Sequence, residues 1–249
     1  MIRAVCLKTE YLSNPSVIDI AFPRLFWKVQ GAAHQTAYQL KGCVDGREVY
    51  DTGKVESSEM NHKYGGELFS RNRVAWKVRL WDEADSCGEW SEEAFFEMGL
   101  LNEKDWTAKW IDPEPVHNPE ERQPASYLKK EFEVERTGHA RLYITAHGVY
   151  DAYINGVKAG NFVLAPGTSQ YDVRLQYQSY DVSSLLRQGK NEIVVTVGDG
   201  WWRGDTGYGG ERNSFGTDLG LLCQLERKQT GMGKCNQQSG QRIIQHKRH

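Results

Sequence analysis

Residues 73–81 read RVAWKVRLW. Val74, Trp76, Val78 and Leu80 fall on one face of an extended chain, and Ala75, Lys77 and Arg79 on the other. A period of two sustained over nine residues means a strand with one face in a core and one in water. The same alternation recurs on both sides of it. In YQLKGCV (38–44), Tyr38, Leu40, Gly42 and Val44 share a face. Leu142, Ile144 and Ala146 do so in ARLYITA (140–146), and Ile193, Val195 and Val197 in NEIVVTVGDG (191–200). Asp45-Gly46 and Asn155-Gly156 suit two-residue hairpin turns, whose central positions both need positive φ. Helical signals are sparse: LNEKDW (101–106) reads as a short turn, and DVSSLLRQGK (181–190) as a turn of helix closed by Gly189. The reading is an all-β chain of sandwich type.

Two units are expected. The first spans 1–100. A linker or long loop, 101–124, follows; within it DPEPVHNPEERQP (112–124) holds four of the chain's seven prolines, which remove ladder donors and force extended backbone. The second unit spans 125–226. From Arg227 the character changes: residues 227–249 hold six bases, no acid and no apolar period. Such a segment cannot bury enough surface to offset its ordering entropy, so it is expected to be a disordered basic tail. A basic arm for nucleic acid or an anionic membrane is the competing reading of the same run.

Composition narrows the function. At 249 residues, 39% hydrophobic and 26% charged, the chain can build a core of one or two domains. Thirty-three acids against 31 bases give a net charge of −2. Without the six tail bases, 25 bases face the same 33 acids, so the remainder carries −8. Nucleic-acid binding by the sandwiches is therefore not expected. The absence of a long apolar run or a signal-type N-terminus predicts no membrane partner and a cytoplasmic location. The five cysteines lie far apart without a CxxC pair, and are read as scattered reduced thiols. The histidines form no HExxH, the serines no GxSxG elbow, and the glycine-rich segment lacks the Lys-Ser/Thr of a phosphate loop. Trp27 and Trp76 are read as core aromatics where the sheets meet.

The densest constellation is GDGWWRGDTGYGGERNSFGTD (198–218). Asp199, Trp201, Trp202, Arg203, Asp205 and Glu211 are its candidate sugar-contact residues, with Tyr208, Arg212, Phe215 and Asp218 nearby. Indoles can stack on sugar C–H faces, and carboxylates and guanidinium groups can hold adjacent hydroxyls. Glycines allow the backbone to come close. The competing reading is packing: a Trp pair between sheets or against a neighbouring domain, with surface ion pairs. Asp151, Asn155, Asp172 and Asp199 are hard-oxygen candidates for calcium, though no EF-hand spacing is present.

A resemblance rests on ordered segments. NPSVIDIAFPRLFWKV, QTAYQL, YDTGKVESSE, YGGEL, VAWKVRLWDEADSCGEWSE and FFEMGL resemble the fibronectin/immunoglobulin-like domain that opens bacterial α-L-rhamnosidases. DWTAKWID, YLKKEFEV and the run from YDAYINGVKAG through APGTSQYD and YQSYDV to GDGWWRG resemble the β-sandwich that follows it. The likeness covers about residues 10–225. It implies an immunoglobulin/fibronectin-III-like sandwich followed by a jelly-roll-like sandwich. It also implies a parent reaction, inverting hydrolysis of terminal α-L-rhamnosides by a carboxylic acid and a carboxylate. In the family those carboxylates lie in an α/α-toroid further along the chain. No residue here matches those positions, so no catalytic residue carries over. The expectation is an accessory fragment, truncated before the catalytic domain that would be its partner, and inactive by itself. No organic cofactor is implied, and rhamnose-containing glycosides are the ligands to consider. A stand-alone carbohydrate-binding module and a scaffold fragment packing on a partner domain remain open.

Overall fold

The computed structural model describes residues 1–113, 118 and 120–228. The chain divides into two compact units, Met1–Asp105 and Trp106–His249. Strands dominate both. Helical structure among the described residues amounts to 3-10 turns at Glu103–Asp105 and Ser183–Leu185 and one α-turn, α1 (Gly200–Arg203).

The first unit runs β1 (Arg3–Thr9), β2 (Arg24–Gln30), β3 (Ala37–Val44), β4 (Arg47–Asp51), β5 (Val55–Glu56), β6 (Asn61–Lys63), β7 (Arg73–Trp81) and β8 (Ala94–Glu97). One sheet has the order β1-β2-β6, the other β4-β3-β7-β8 with β5 also on β3, and the strand pairs are antiparallel. Val74, Trp76, Val78 and Leu80 are all buried and pack in one core with Leu25, Trp27, Leu40, Tyr64 and Phe96. Both tryptophans are core residues, as expected. The Trp27 indole needs a polar partner once buried, and donates to Gln35 Oε1 at 2.8 Å. The Gln35 amide in turn donates to the carbonyls of Ser57 and Glu59. His62 is bracketed by two phenols, Tyr38 at Nδ1 and Tyr50 at Nε2.

The second unit runs β9 (Ser126–Val134), β10 (His139–His147), β11 (Val149–Ile154), β12 (Val157–Lys158), β13 (Gln178–Asp181), β14 (Gly189–Gly198) and β15 (Gly220–Lys228). Its sheets have the orders β13-β10-β15 and β12-β11-β14-β9. Leu142, Ile144 and Ala146 meet Ile193, Val195 and Val197 in one core. Both predicted hairpins form: Asp45 and Gly46 have φ of 49° and 78°, and Asn155 and Gly156 of 51° and 81°.

Three differences from the sequence reading have physical causes. β10 was expected to be half-buried, yet every residue from Ala140 to Ala146 is buried. Its second face is covered from within the unit. Tyr143 meets the rings of Trp106 and Tyr177, and Arg141 pairs with Asp181. The 101–124 stretch is shared out. Asp105 accepts from Ser70 and Arg71 in the first unit, and Ile111 exchanges two backbone hydrogen bonds of 2.9 Å with Leu221 in the second. Finally, β15 continues two residues past the expected boundary, pairing Arg227 with Ala140 and Lys228 with His139. The rest of the proposed tail, 229–249, lies outside the described residues.

Cys6 and Cys87 are exposed free thiols, Cys43 is half-buried, and Cys223 is buried on β15. Burial pushes the Cys223 thiol up to about 12.

Candidate functional site

The loop between β14 and β15 holds every sugar-contact candidate. It is built around Asp199, the residue after β14. Arg203, one turn later on α1, donates from Nε and Nη2 to Asp199 Oδ1 at 2.9 and 2.7 Å. Its Nη1 donates to the Thr217 carbonyl at 3.2 Å. Arg212 reaches the other oxygen of Asp199 at 2.9 Å, and through Nη1 reaches Asp205 at 3.0 Å. Arg122 closes the series on Asp205 at 2.9 Å. Three guanidinium groups and two carboxylates therefore alternate in one network. Arg203 is almost fully buried, a state a guanidinium tolerates only when paired. Hydrogen bonds from Arg212 and Arg122 hold the Asp205 carboxyl below the usual carboxylate range.

Trp202 belongs to an aromatic column. Its indole lies on the His147 imidazole, with centroids 4.0 Å apart and planes 2° apart. Trp110 stacks on the same imidazole at 4.2 Å. Tyr171 meets Trp202 edge-on at 5.3 Å, and Trp202 Nε1 donates to the Asp218 carbonyl at 3.0 Å. A Cβ on Gly216 would sit 2.8 Å from this indole, so the glycine there permits the close approach. Burial pushes the His147 imidazole down, with the Asp112 charge opposing.

The candidates thus separate. Asp199, Arg203 and Asp205 share the ionic network, and Trp202 is committed to the column. Trp201 is half-buried, and Glu211 is exposed, its backbone paired with Thr206 in a small hairpin whose tip carries the fully exposed Tyr208. His147, Trp110, Tyr171 and Arg122 were not singled out from sequence. The sole hint was His147 directly ending an apolar strand. The calcium candidates do not form a ligand set. Asp151 pairs with Lys158, and the Asn155 amide donates to Leu185 and Asn191. Asp199 carries two arginines, and among the described residues no three His, Cys, Asp or Glu side chains gather to hold a metal ion.

Chemically, the loop is a braced surface. Hydrolysis of a glycoside by paired carboxyl groups needs one of them kept protonated. Here the arginines on Asp205 favour its ionised form. Two tandem antiparallel β-sandwich units, the second carrying this braced aromatic and arginine loop, define a modular all-β protein.

Comparison with known proteins makes the class particular. Residues 4–102 match the family described as Rha78A-like, N-terminal immunoglobulin domain, and residues 135–237 match the family described as α-L-rhamnosidase N-terminal domain. An α-L-rhamnosidase of Formosa agariphila is 35% identical over 246 residues, covering 88% of this chain and 26% of that protein. One from Alteromonas sp. (strain LOR) is 35% identical over 214 residues, covering 78% and 23%. The crystal structure of native α-L-rhamnosidase from Aspergillus terreus superposes with a TM-score of 0.81 at 34% identity, covering 90% of this chain and 27% of that one. The chain corresponds to the N-terminal region of α-L-rhamnosidases, and spans about a quarter of the length of the curated relatives it matches.

Proposed function

We propose that the chain serves as the accessory N-terminal part of an enzyme that releases L-rhamnose from rhamnosides, and does not hydrolyse them by itself. The observation that carries this reading is the consecutive match of both units, in order, to the N-terminal domains of that family. The partner would be the catalytic domain of the parent enzyme. The second sandwich is read as jelly-roll-like, because successive strands repeatedly cross between its two sheets. The pure 249-residue chain is expected to release no p-nitrophenol from p-nitrophenyl α-L-rhamnoside. Turnover that survives repurification would overturn the reading.

A second reading is a carbohydrate-binding module. Tyr208, fully exposed at the tip of the glycine-rich loop, and the half-exposed Trp201 favour it. Titration with rhamnose and plant rhamnosides tests it; an affinity unchanged by Trp201→Ala and Trp202→Ala would remove these residues from the contact surface. A scaffold role is favoured by Phe162, Val163, Leu164 and Val173, each more than half exposed. Consecutive exposed apolar side chains such as those at 162–164 suit contact with another surface. Self-association in sedimentation, abolished by Val163→Asp, is the expected sign.

A further inference from the structure

The face of β7 turned away from the core carries a row of cations resting on aromatic rings. The Arg73 guanidinium lies 3.8 Å from the Phe95 ring centroid. Lys77 and Arg79 both sit over Trp90, at 5.1 and 4.8 Å, and Arg79 also lies 5.1 Å from Trp81. Lys41 and Lys54 join from neighbouring segments, over Trp90 and Trp81. The cations are not equivalent. Lys41 is neutralised by Glu48 and Asp51, and Lys54 by Glu56 and Asp85. Arg73, Lys77 and Arg79 have no carboxylate at ion-pair distance among the described residues.

Arg79 is also aimed. Its Nε and Nη2 both donate to Gln39 Oε1, at 3.0 and 2.7 Å, while the Gln39 amide donates to Asp51 at 2.7 Å. Asp51 thereby orients Gln39, and Gln39 orients the guanidinium, leaving Nη1 without a hydrogen bond among the described residues. Two unneutralised cations on one ring repel each other, and an anion lying across them relieves that repulsion. The row extends about 20 Å along a single strand in the interior of its sheet, at roughly 3.3 Å per residue from Arg73 to Arg79.

We propose that Lys77 and Arg79, with Arg73 further along β7, form a binding row for an acidic polysaccharide. A linear polymer with repeated carboxylates or sulfates matches cations strung along one extended strand. Nucleic acid fits less well: cations already lie over Trp81 and Trp90, which limits base stacking there. The choice of a glycan among polyanions rests on the rhamnosidase reading above. With 17 acids against 13 bases in residues 1–105, the unit offers no diffuse attraction. Binding is local to the row and falls with added salt.

Affinity electrophoresis of the full chain, with native gels containing dextran sulfate, polygalacturonate or neutral dextran, tests this. Retardation by at least one acidic polymer and none by neutral dextran is expected. The K77Q/R79Q double variant should weaken binding about tenfold or more. K77R, which keeps the charge and leaves the Arg79 fork on Gln39 intact, should retain it, and K190Q, on the second unit, should leave it unchanged. Far-UV dichroism checks that each variant is folded. Retardation equal in the wild type and K77Q/R79Q, or no retardation of the wild type, overturns the proposal. So does tighter binding of a duplex oligonucleotide or of polyglutamate than of either polysaccharide. Neutral rhamnoside titrations do not depend on Lys77 or Arg79, so a failure of the rhamnosidase reading registers separately.

Discussion

The imidazole of His147 lies flat on the indole of Trp202, 4.0 Å between centroids and 2° between planes, and stacks on Trp110 as well. Two indoles against one imidazole leave little room for water around the ring. The neutral form is therefore favoured, and the folded-state pKa lies below its usual value.

The sign of the pH effect follows. The unfolded chain takes up a proton on His147 near pH 6.5 while the folded chain resists, so the unfolded state binds more protons over that window. Stability contributed by the neutral stack is complete above about pH 6.5 and is lost as the pH falls toward the folded-state pKa. Thermal melting of the second unit from pH 8 to pH 5 should show a falling midpoint, flattened by His147→Gln. His62, also pushed down by burial, acts likewise in the first unit. His62→Gln supplies the matching control. A midpoint slope unaltered by His147→Gln would separate the stack from the pH response.

Asp199 and Asp205 share Arg212 but should differ in weight. Asp199→Asn strips the charge partner from Arg203, which is only 3% exposed, and breaking a buried pair in this way costs about 3 kcal/mol or more. Asp205→Asn removes a pairing with Arg122, which is 83% exposed in its side chain, and should move the urea midpoint far less. Equal shifts for the two variants would contradict this division of the network.

Trp76→Ala empties a fully buried site at the centre of the first core. A loss of about 3–5 kcal/mol is expected in chemical denaturation. Because each unit has its own core, the second unit's transition should be little changed.

At the β11–β12 hairpin, Gly156→Ala forces a side chain into φ of 81°, at a cost of about 1 kcal/mol. Asn155→Ala should cost more. It loses the left-handed tolerance of asparagine and its hydrogen bonds to Leu185, Asn191 and Glu192 together. Thermal melting of the two variants, side by side, checks the order.

Alternation made the sheets legible because it reports which face of a strand is wet. Val74 to Leu80 and Ile193 to Val197 behave that way, and the two hairpin dipeptides fix their own turns. The same rule misread β10, since Trp106 and Tyr177 cover its second face from distant parts of the chain, and a local period cannot register that cover. The loop after β14 was legible in composition but not in wiring. Trp202 and Arg203 stand out in sequence, yet their commitment to His147 and Asp199 depends on where β10 ends and how α1 turns. Trp110 and Arg122 lie in or beside the proline-rich stretch, which carries no periodic signal.

The burial of Cys223 gives the second unit a clock of its own. A thiol must be both accessible and deprotonated to be alkylated, and this one is neither while β15 stays paired with β10. Among the described residues, Cys6 and Cys87 will react at once and Cys43 more slowly, whereas modification of Cys223 itself counts openings of the β10–β15 seam. Followed by peptide mass, that labelling would time the release of this seam while the first unit stays folded.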